Sequence, residues 1–253
     1  MRLPSPLAGT GPVFEREHHR RIARVLESLD PDLLRTHGCW FGGGTAIALR
    51  RGEFRQSHDI DFLVSDPAGY RELRQLMRTA RDLAPLSRAG CQPLALEDGV
   101  RIDRYGIRGF VRVDPVRIKF EIVSEGRICL DVPARSDVLC GIATLSSTDL
   151  AACKLLANSD RWADDSVFGR DAIDLAMLDL PPRRLAPAMD KARAAYGIAV
   201  ANDMHAALHG LRERPGWLQR CMAALSIHLP PAALQQKLRQ LSRRLTAVAG
   251  HVE

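Results

Sequence analysis

Apolar residues recur at helical spacing near the start of the chain. In residues 15–29, EREHHRRIARVLESL, the side chains of Ile22, Val25, Leu26 and Leu29 fall on one stripe opposite charge, which predicts an amphipathic helix with His18 and His19 on its polar side. The run HGCWF, the glycines Gly42 to Gly44 and the segment TAIALRR then read as strand, glycine turn and short helix. The polar stretch GEFRQSH leads into DIDFLV, a β-favouring run stopped by the turn signal SDP, and residues 69–83 read as a second helix. From Cys91 to Leu130 short runs rich in Val, Ile and Phe alternate with DG, YG and DP turns. RGFVRV and VRIKFEIV are the clearest strands, expected as antiparallel neighbours joined at Asp114-Pro115. Beyond about residue 145 strand signals cease, and helical segments punctuated by Pro181-Pro182, Pro215 and Pro230-Pro231 follow. The pattern predicts an α+β fold, with a mixed sheet flanked by helices over residues 1–145 and an all-helical part over residues 146–253.

Composition narrows the class. A chain of 253 residues, 46% hydrophobic and 26% charged, is neither disordered nor a small disulfide scaffold, and it can bury a core of its own as one large domain or two modest ones. No apolar run approaches the roughly 20 residues of a membrane helix, and the N-terminal residues lack a signal-peptide pattern, so cytoplasmic residence without a membrane partner is expected. The cysteines at 39, 91, 129, 140, 153 and 221 form no CxxC pair and are expected as reduced, mostly buried thiols. His205 and His209 stand four residues apart with Asp203 nearby. No general-base Glu lies between them, so ordinary helix residues rather than a metal site are expected there.

The segment Phe41 to Val64 carries the most chemistry. Alternate residues of a strand face one side, so Asp59 and Asp61 project together while Ile60 and Phe62 turn to the core. Two adjacent carboxylates repel unless a cation lies between them, and hard oxygen ligands at this spacing suit Mg²⁺ or Mn²⁺. Upstream, Gly43 and Gly44 open backbone N–H groups toward a phosphate, and Thr45 offers a hydroxyl. In IKFEIV, Glu121 lies between Phe120 and Ile122 and supplies a third acid. Glycine turn, paired aspartates and a later strand acid make a two-metal phosphoryl-transfer set. Taken singly, each piece has an ordinary structural explanation: a turn, a strand end, an exposed strand residue.

This ordered set resembles the polymerase-β-like nucleotidyltransferases, and among them the AbiEii/AbiGii-type toxins of bacterial toxin–antitoxin systems. Gly43 to Leu49 are similar to the GGT-A-x-A-L helix start of that branch, and Arg55, Ser57, Asp59, Ile60, Asp61 and Phe62 to its R-x-S-x-D-I-D-F signature. Lys154 with Arg161, and Arg170-Asp171 with Asp174-Leu175, resemble its later Lys/Arg helix and R-D-x-x-D-L motif. The resemblance spans roughly residues 38–180. It implies metal binding by Asp59, Asp61 and Glu121, nucleotide binding by Gly43, Gly44, Thr45, Arg55, Ser57, Lys154, Asn158, Arg161 and Asp174, and catalytic parts for Lys154 and Asp171 beside the three acids. On a helix Lys154, Asn158 and Arg161 share a face able to hold a triphosphate; without the resemblance, a Lys154–Asp171 interhelical salt bridge is the simpler expectation.

Charge adds an acceptor. The net charge is +6, yet residues 181–253 hold eleven basic and four acidic residues, so the surplus lies in the helical part, where it suits a polyanion. The resemblance implies transfer of a nucleoside monophosphate from an NTP to the 3′ end of tRNA, and a cognate antitoxin protein. Two rivals stay open: the same chemistry on a small-molecule or protein hydroxyl, and a non-catalytic RNA- or nucleotide-binding regulator.

Overall fold

The structure, a computed structural model, describes residues 13–92 and 96–249; the N-terminal residues read for an export signal lie mostly outside them. The first apolar stripe forms α1 (Glu17–Ser28), which buries Ile22, Val25 and Leu26, with Leu29 following. His19 departs from expectation, for it is fully buried rather than on the polar side. Its Nδ1 lies 2.7 Å from Glu53 Oε1, and the Ser57 backbone N–H donates to its Nε2 at 3.1 Å. A ring nitrogen that accepts carries no proton, so His19 is the neutral tautomer donating from Nδ1 to Glu53. These two partners replace water for both ring nitrogens, which lets an imidazole sit inside.

Burial lowers the His19 pKa below 6.5, and Glu53 only partly opposes this. The unfolded chain therefore binds the proton more readily, and the stability this residue contributes is present above pH 6.5 and lost as pH falls. The expected result is that the Tm difference between wild type and His19→Gln is constant above about pH 7 and shrinks toward about pH 5. Melting curves across that range check it, and a pH-independent difference overturns it.

After α2 (Pro31–Thr36), a short helix capped by Asp30 that the apolar pattern does not announce, the chain follows strand, turn and helix as β1 (Trp40–Phe41) and α3 (Gly43–Arg50). Next come β2 (Ile60–Val64) and α4 (Pro67–Ala80), the latter capped by Asp66. β3 (Leu96–Ile102), β4 (Gly106–Val113) and β5 (Val116–Ser124) complete a sheet of order β1-β2-β5-β4-β3. β4 and β5 are antiparallel as expected, whereas β2 runs parallel to β5. That pairing sets Ile60 beside Phe120 and Phe62 beside Ile122, all four fully buried, and so brings Asp61 beside Glu121 on the other face. Phe41, Phe62 and Phe120 pack across three strands with ring centroids 5.6 Å apart, an aromatic spine under the acids.

A small hairpin of β6 (Val138–Leu139) and β7 (Ile142–Ala143), too short to carry a period-2 signal, precedes the helical part. Among the described residues six α-helices follow: α5 (Ser147–Arg161), α6 (Arg170–Leu178), α7 (Pro182–Tyr196), α8 (Ala199–Glu213), α9 (Trp217–Ala224) and α10 (Pro231–Ala249). The prolines punctuate as predicted, with Pro182 and Pro231 opening α7 and α10 and Pro215 just ahead of α9. α5 packs on α6, α7 and α8, and α3 packs on α5 and α6, so a continuous core joins sheet and helices. Arg50 adds polar ties to Thr144 Oγ1 at 2.9 Å and Asp137 Oδ1 at 2.9 Å.

All six cysteines are free. Cys39, Cys140 and Cys221 are buried, Cys153 is partly so, and Cys91 and Cys129 are exposed, which departs from the expectation of mostly buried thiols because the latter two sit in polar loops. His205 and His209 are exposed helix residues. Among the described residues, no helix is long and apolar enough to cross a membrane.

Candidate active site

The glycine turn is shaped by its neighbours. Gly43 has φ +67, where glycine is favoured, and a Cβ there would collide with the Asp61 carboxylate. A Cβ at Gly44 would strike the Arg55 guanidinium, and one at Gly42 would come within 2.7 Å of Leu63 and Leu145. The missing side chains therefore make room for Asp61 and Arg55 as well as exposing backbone. The Gly42 N–H donates to the Asp61 carbonyl at 2.8 Å, fastening the turn to β2. Thr45 Oγ1 donates to the Asp59 carbonyl at 2.5 Å and lies 2.7 Å from Ser57 Oγ. A hydroxyl has one proton, so Ser57 is the donor in that second bond, and both hydroxyls hold the approach to β2 in place.

Asp59, Asp61 and Glu121 all face one cleft of about 370 Å³, within the size range of small-ligand sites. Burial, then the nearby charges of Asp59 and Glu121, push the Asp61 carboxyl up to about 6, against the pull of Lys154 and Lys119. Glu121 is held differently: Arg108 Nε reaches its Oε1 at 2.9 Å, and Lys119 Nζ engages its Oε2. Among the described residues no group of three His, Cys, Asp or Glu side chains lies within ligating reach of one point. The hard oxygens of Asp59 and Asp61, and the uncompensated charge at Asp61, fit a divalent cation; Glu121 already has two cationic partners.

Behind the acids, α5 and α6 supply a buried ion network. Arg55 forks onto Asp174, Nε to Oδ1 at 2.7 Å and Nη2 to Oδ2 at 2.9 Å. Lys154 Nζ lies 2.7 Å from Asp174 Oδ2 and 2.9 Å from Asp171 Oδ1. Arg161 forks onto Asp171 at 2.7 and 3.0 Å. Burial alone would discharge the Lys154 ammonium, but Asp171 and Asp174 outweigh it and hold its pKa above the ordinary range. Burial likewise raises the Asp171 carboxyl, and Lys154 and Arg161 outweigh that and hold it well below the usual carboxylate range. Three cations against two carboxylates leave the network with one net positive charge beside the cleft.

The structure thus gathers most residues read from the sequence. Gly43, Gly44, Thr45, Arg55, Ser57, Asp59, Asp61, Glu121, Lys154 and Arg161 all line the cleft. Asp171 and Asp174 stand behind it, in contact with its cations, and Asn158 is buried with its Nδ2 lacking a hydrogen-bond partner among the described residues. The interhelical Lys154–Asp171 bridge is present, within a larger cluster that includes Arg55. Glu125, Arg127 and Arg170 also face the cleft and were not singled out by sequence. Only Arg170 lay in a recognised motif.

No curated protein sequence matches the chain. Among solved structures, a Helicobacter pylori protein assigned as a nucleotidyltransferase shares 17% identity, with 93% of this chain and 94% of that one covered and a TM-score of 0.49. MenT4, a nucleotidyltransferase toxin from Mycobacterium tuberculosis, shares 18% identity over 91% of this chain and 86% of its own, with a TM-score of 0.43. The family described as nucleotidyl transferase AbiEii toxin, type IV TA system, matches residues 24–242, beyond both ends of the motif-bearing stretch. On that match over most of its length, the chain belongs to the AbiEii nucleotidyltransferase toxin family and is a nucleotidyltransferase.

Proposed function

We propose that this enzyme transfers a nucleoside monophosphate from an NTP to the 3′ hydroxyl of tRNA, releasing pyrophosphate, as the toxin of a cytoplasmic toxin–antitoxin pair with a cognate antitoxin protein. The observation that carries the reading is the meeting of Asp59 and Asp61 with a net-positive network across one cleft, an arrangement suited to a cation and a polyphosphate together. Asp59 and Asp61 would hold Mg²⁺ or Mn²⁺, which when bound supplies charge neutralisation at the attacking and leaving oxygens. Gly43 and Gly44 let the backbone approach the phosphates, and Lys154 and Arg161 face their charge. Asp171 and Asp174 keep those cations charged in a buried setting, and Arg55 and Ser57 with Thr45 align the segment that delivers Asp59. Glu121, between Arg108 and Lys119, is placed to orient the acceptor hydroxyl. Residues 1–145 form the catalytic core on this reading, and residues 146–253 form the helical domain that meets RNA.

The basic surplus divides once partners are counted. Lys191, Arg212, Arg214, Lys237 and Arg244 are engaged in ion pairs, Lys237 and Arg244 both with Asp179. Arg183, Arg184, Arg239 and Arg243 are exposed and in no ion pair among the described residues; Arg220 is exposed too, but its guanidinium lies over the Trp217 ring. Arg244 is therefore a poor probe of RNA binding, and the exposed four are the better one.

The test incubates the protein with each labelled NTP, Mg²⁺ and total tRNA. Label on the 3′ end, lost on chelation, is expected; no label with any NTP overturns the tRNA assignment. Binding should also weaken steeply with salt, with a log–log slope of about −0.7 to −0.9 per phosphate contact. Reversing the charge of Arg183 and Arg184 together with Arg239 and Arg243 should flatten that slope. An unchanged slope removes the helical part from the RNA surface.

A further inference from the structure

Among the described residues six cationic side chains line the cleft: Arg55, Lys119, Arg127, Lys154, Arg161 and Arg170. Five have carboxylate partners. Arg55 is held by Asp174, Lys119 by Glu121, Arg127 by Glu125 and Asp160, Lys154 by Asp171 and Asp174, and Arg161 by Asp171. Arg170 is half-buried, and its side chain makes no hydrogen bond or ion pair among the described residues.

Its position is fixed rather than incidental. Arg170 opens α6 directly after Gly169, whose φ is +60 and where a Cβ would come 2.9 Å from the Leu211 side chain. That left-handed glycine sets the direction in which the helix starts and hence where the guanidinium is carried. A cation at the first position of a helix meets the positive end of the helix dipole, so the free protein gains nothing from charge at this place. A guanidinium that lacks a carboxylate, is partly withdrawn from water and faces a cleft is suited to an anion that presents two oxygens to its fork, as a phosphate does.

We infer that Arg170 is the phosphate-binding residue of the cleft, forking onto a phosphate that the other cations, already paired, meet only with their residual charge. The inference rests on the nucleotidyltransfer reading of the cleft and adds to it the group that grips the anion. Two sources share this chemistry, the nucleotide's triphosphate and a backbone phosphate of the acceptor RNA.

The experiment compares wild type and Arg170→Ala in three metal-free or metal-containing titrations: tripolyphosphate, each NTP, and a single-stranded oligoribonucleotide. Loss of a charge-assisted fork should raise Kd about tenfold or more. A rise for tripolyphosphate and NTP assigns the fork to the triphosphate, and a rise confined to the oligoribonucleotide assigns it to the acceptor. Tm should stay within a degree or so of wild type, because no protein partner is lost. Unchanged Kd values for all three ligands, or a Tm that falls by several degrees along with binding, overturn the inference. A wild type that binds none of the three overturns the nucleotide reading itself, which separates that failure from this one.

Discussion

Asp61→Asn is expected to abolish nucleotidyl transfer while making the metal-free protein more stable. The carboxylate faces the cleft beside Asp59 and Glu121, and its pKa is raised from 3.8 to about 6. A raised carboxyl pKa means that the folded chain holds the proton more tightly than the unfolded one, so stability is lost as pH rises from about 4 to about 6. Above that window the ionised group destabilises the fold by an amount on the order of 3 kcal/mol. Asparagine keeps the shape and removes the charge, so the metal-free variant should melt several degrees higher at about pH 7.5. Activity should fall by roughly a thousandfold or more, since a lost cation ligand forfeits several kcal/mol of transition-state stabilisation. Divalent cation should raise the Tm of wild type and leave that of the variant nearly unmoved. Full activity in Asp61→Asn overturns the carboxylate pair as the cation site.

Asp174→Ala is expected to be the most destabilising single change near the site, by about 3–5 kcal/mol, because it strands buried cations. Arg55 and Lys154 are only 4% and 7% exposed, and both lean on this carboxylate. Lys154→Met is the informative contrast. Removing the ammonium leaves Arg55 with Asp174 and Arg161 with Asp171, two cations against two carboxylates, so the balance of charge improves as one set of contacts is lost. Its stability cost should be clearly smaller than that of Asp174→Ala, whereas its nucleotide affinity should fall because the network no longer carries net positive charge. Denaturant unfolding and nucleotide titration of the two variants check this ordering. Equal stability losses would show that Lys154 is mainly a structural strut, and a fully active Lys154→Met would return the residue to that role.

The local part of the site was legible in the chain, and the non-local part was not. Strand alternation placed Asp59 and Asp61 on one face and Ile60 and Phe62 on the other, because that geometry depends only on neighbours two residues apart. The proximity of Glu121 depends instead on β2 pairing with β5 in parallel, a register no local pattern encodes. Arg108 comes to Glu121 from across the β4–β5 ladder, where the two residues are direct partners. Helical spacing correctly put Lys154 and Arg161 on a common face; it could not show that Asp171 and Asp174 neutralise most of their charge. His19 illustrates the same limit, since a polar residue beside a polar stripe goes inside only when distant partners, here Glu53 and Ser57, meet both ring nitrogens. The α2 helix and the β6–β7 hairpin escaped because each is too short for its period to repeat.

The segment that delivers Asp59 hangs from both ends of the chain. Arg16 reaches Gln56 Oε1 at 3.2 Å and the Ser226 carbonyl at 2.9 Å, the Gln56 N–H donates to the Leu225 carbonyl at 3.1 Å, and Arg55 is forked onto Asp174. A fragment ending near residue 145 would keep all three acids and lose three of the anchors that align them. The enzyme therefore resists dissection into a minimal catalytic piece and an interchangeable recognition piece. In a chimaera between relatives, Arg55 and Asp174 have to be inherited as a matched pair, although 119 positions of chain separate them.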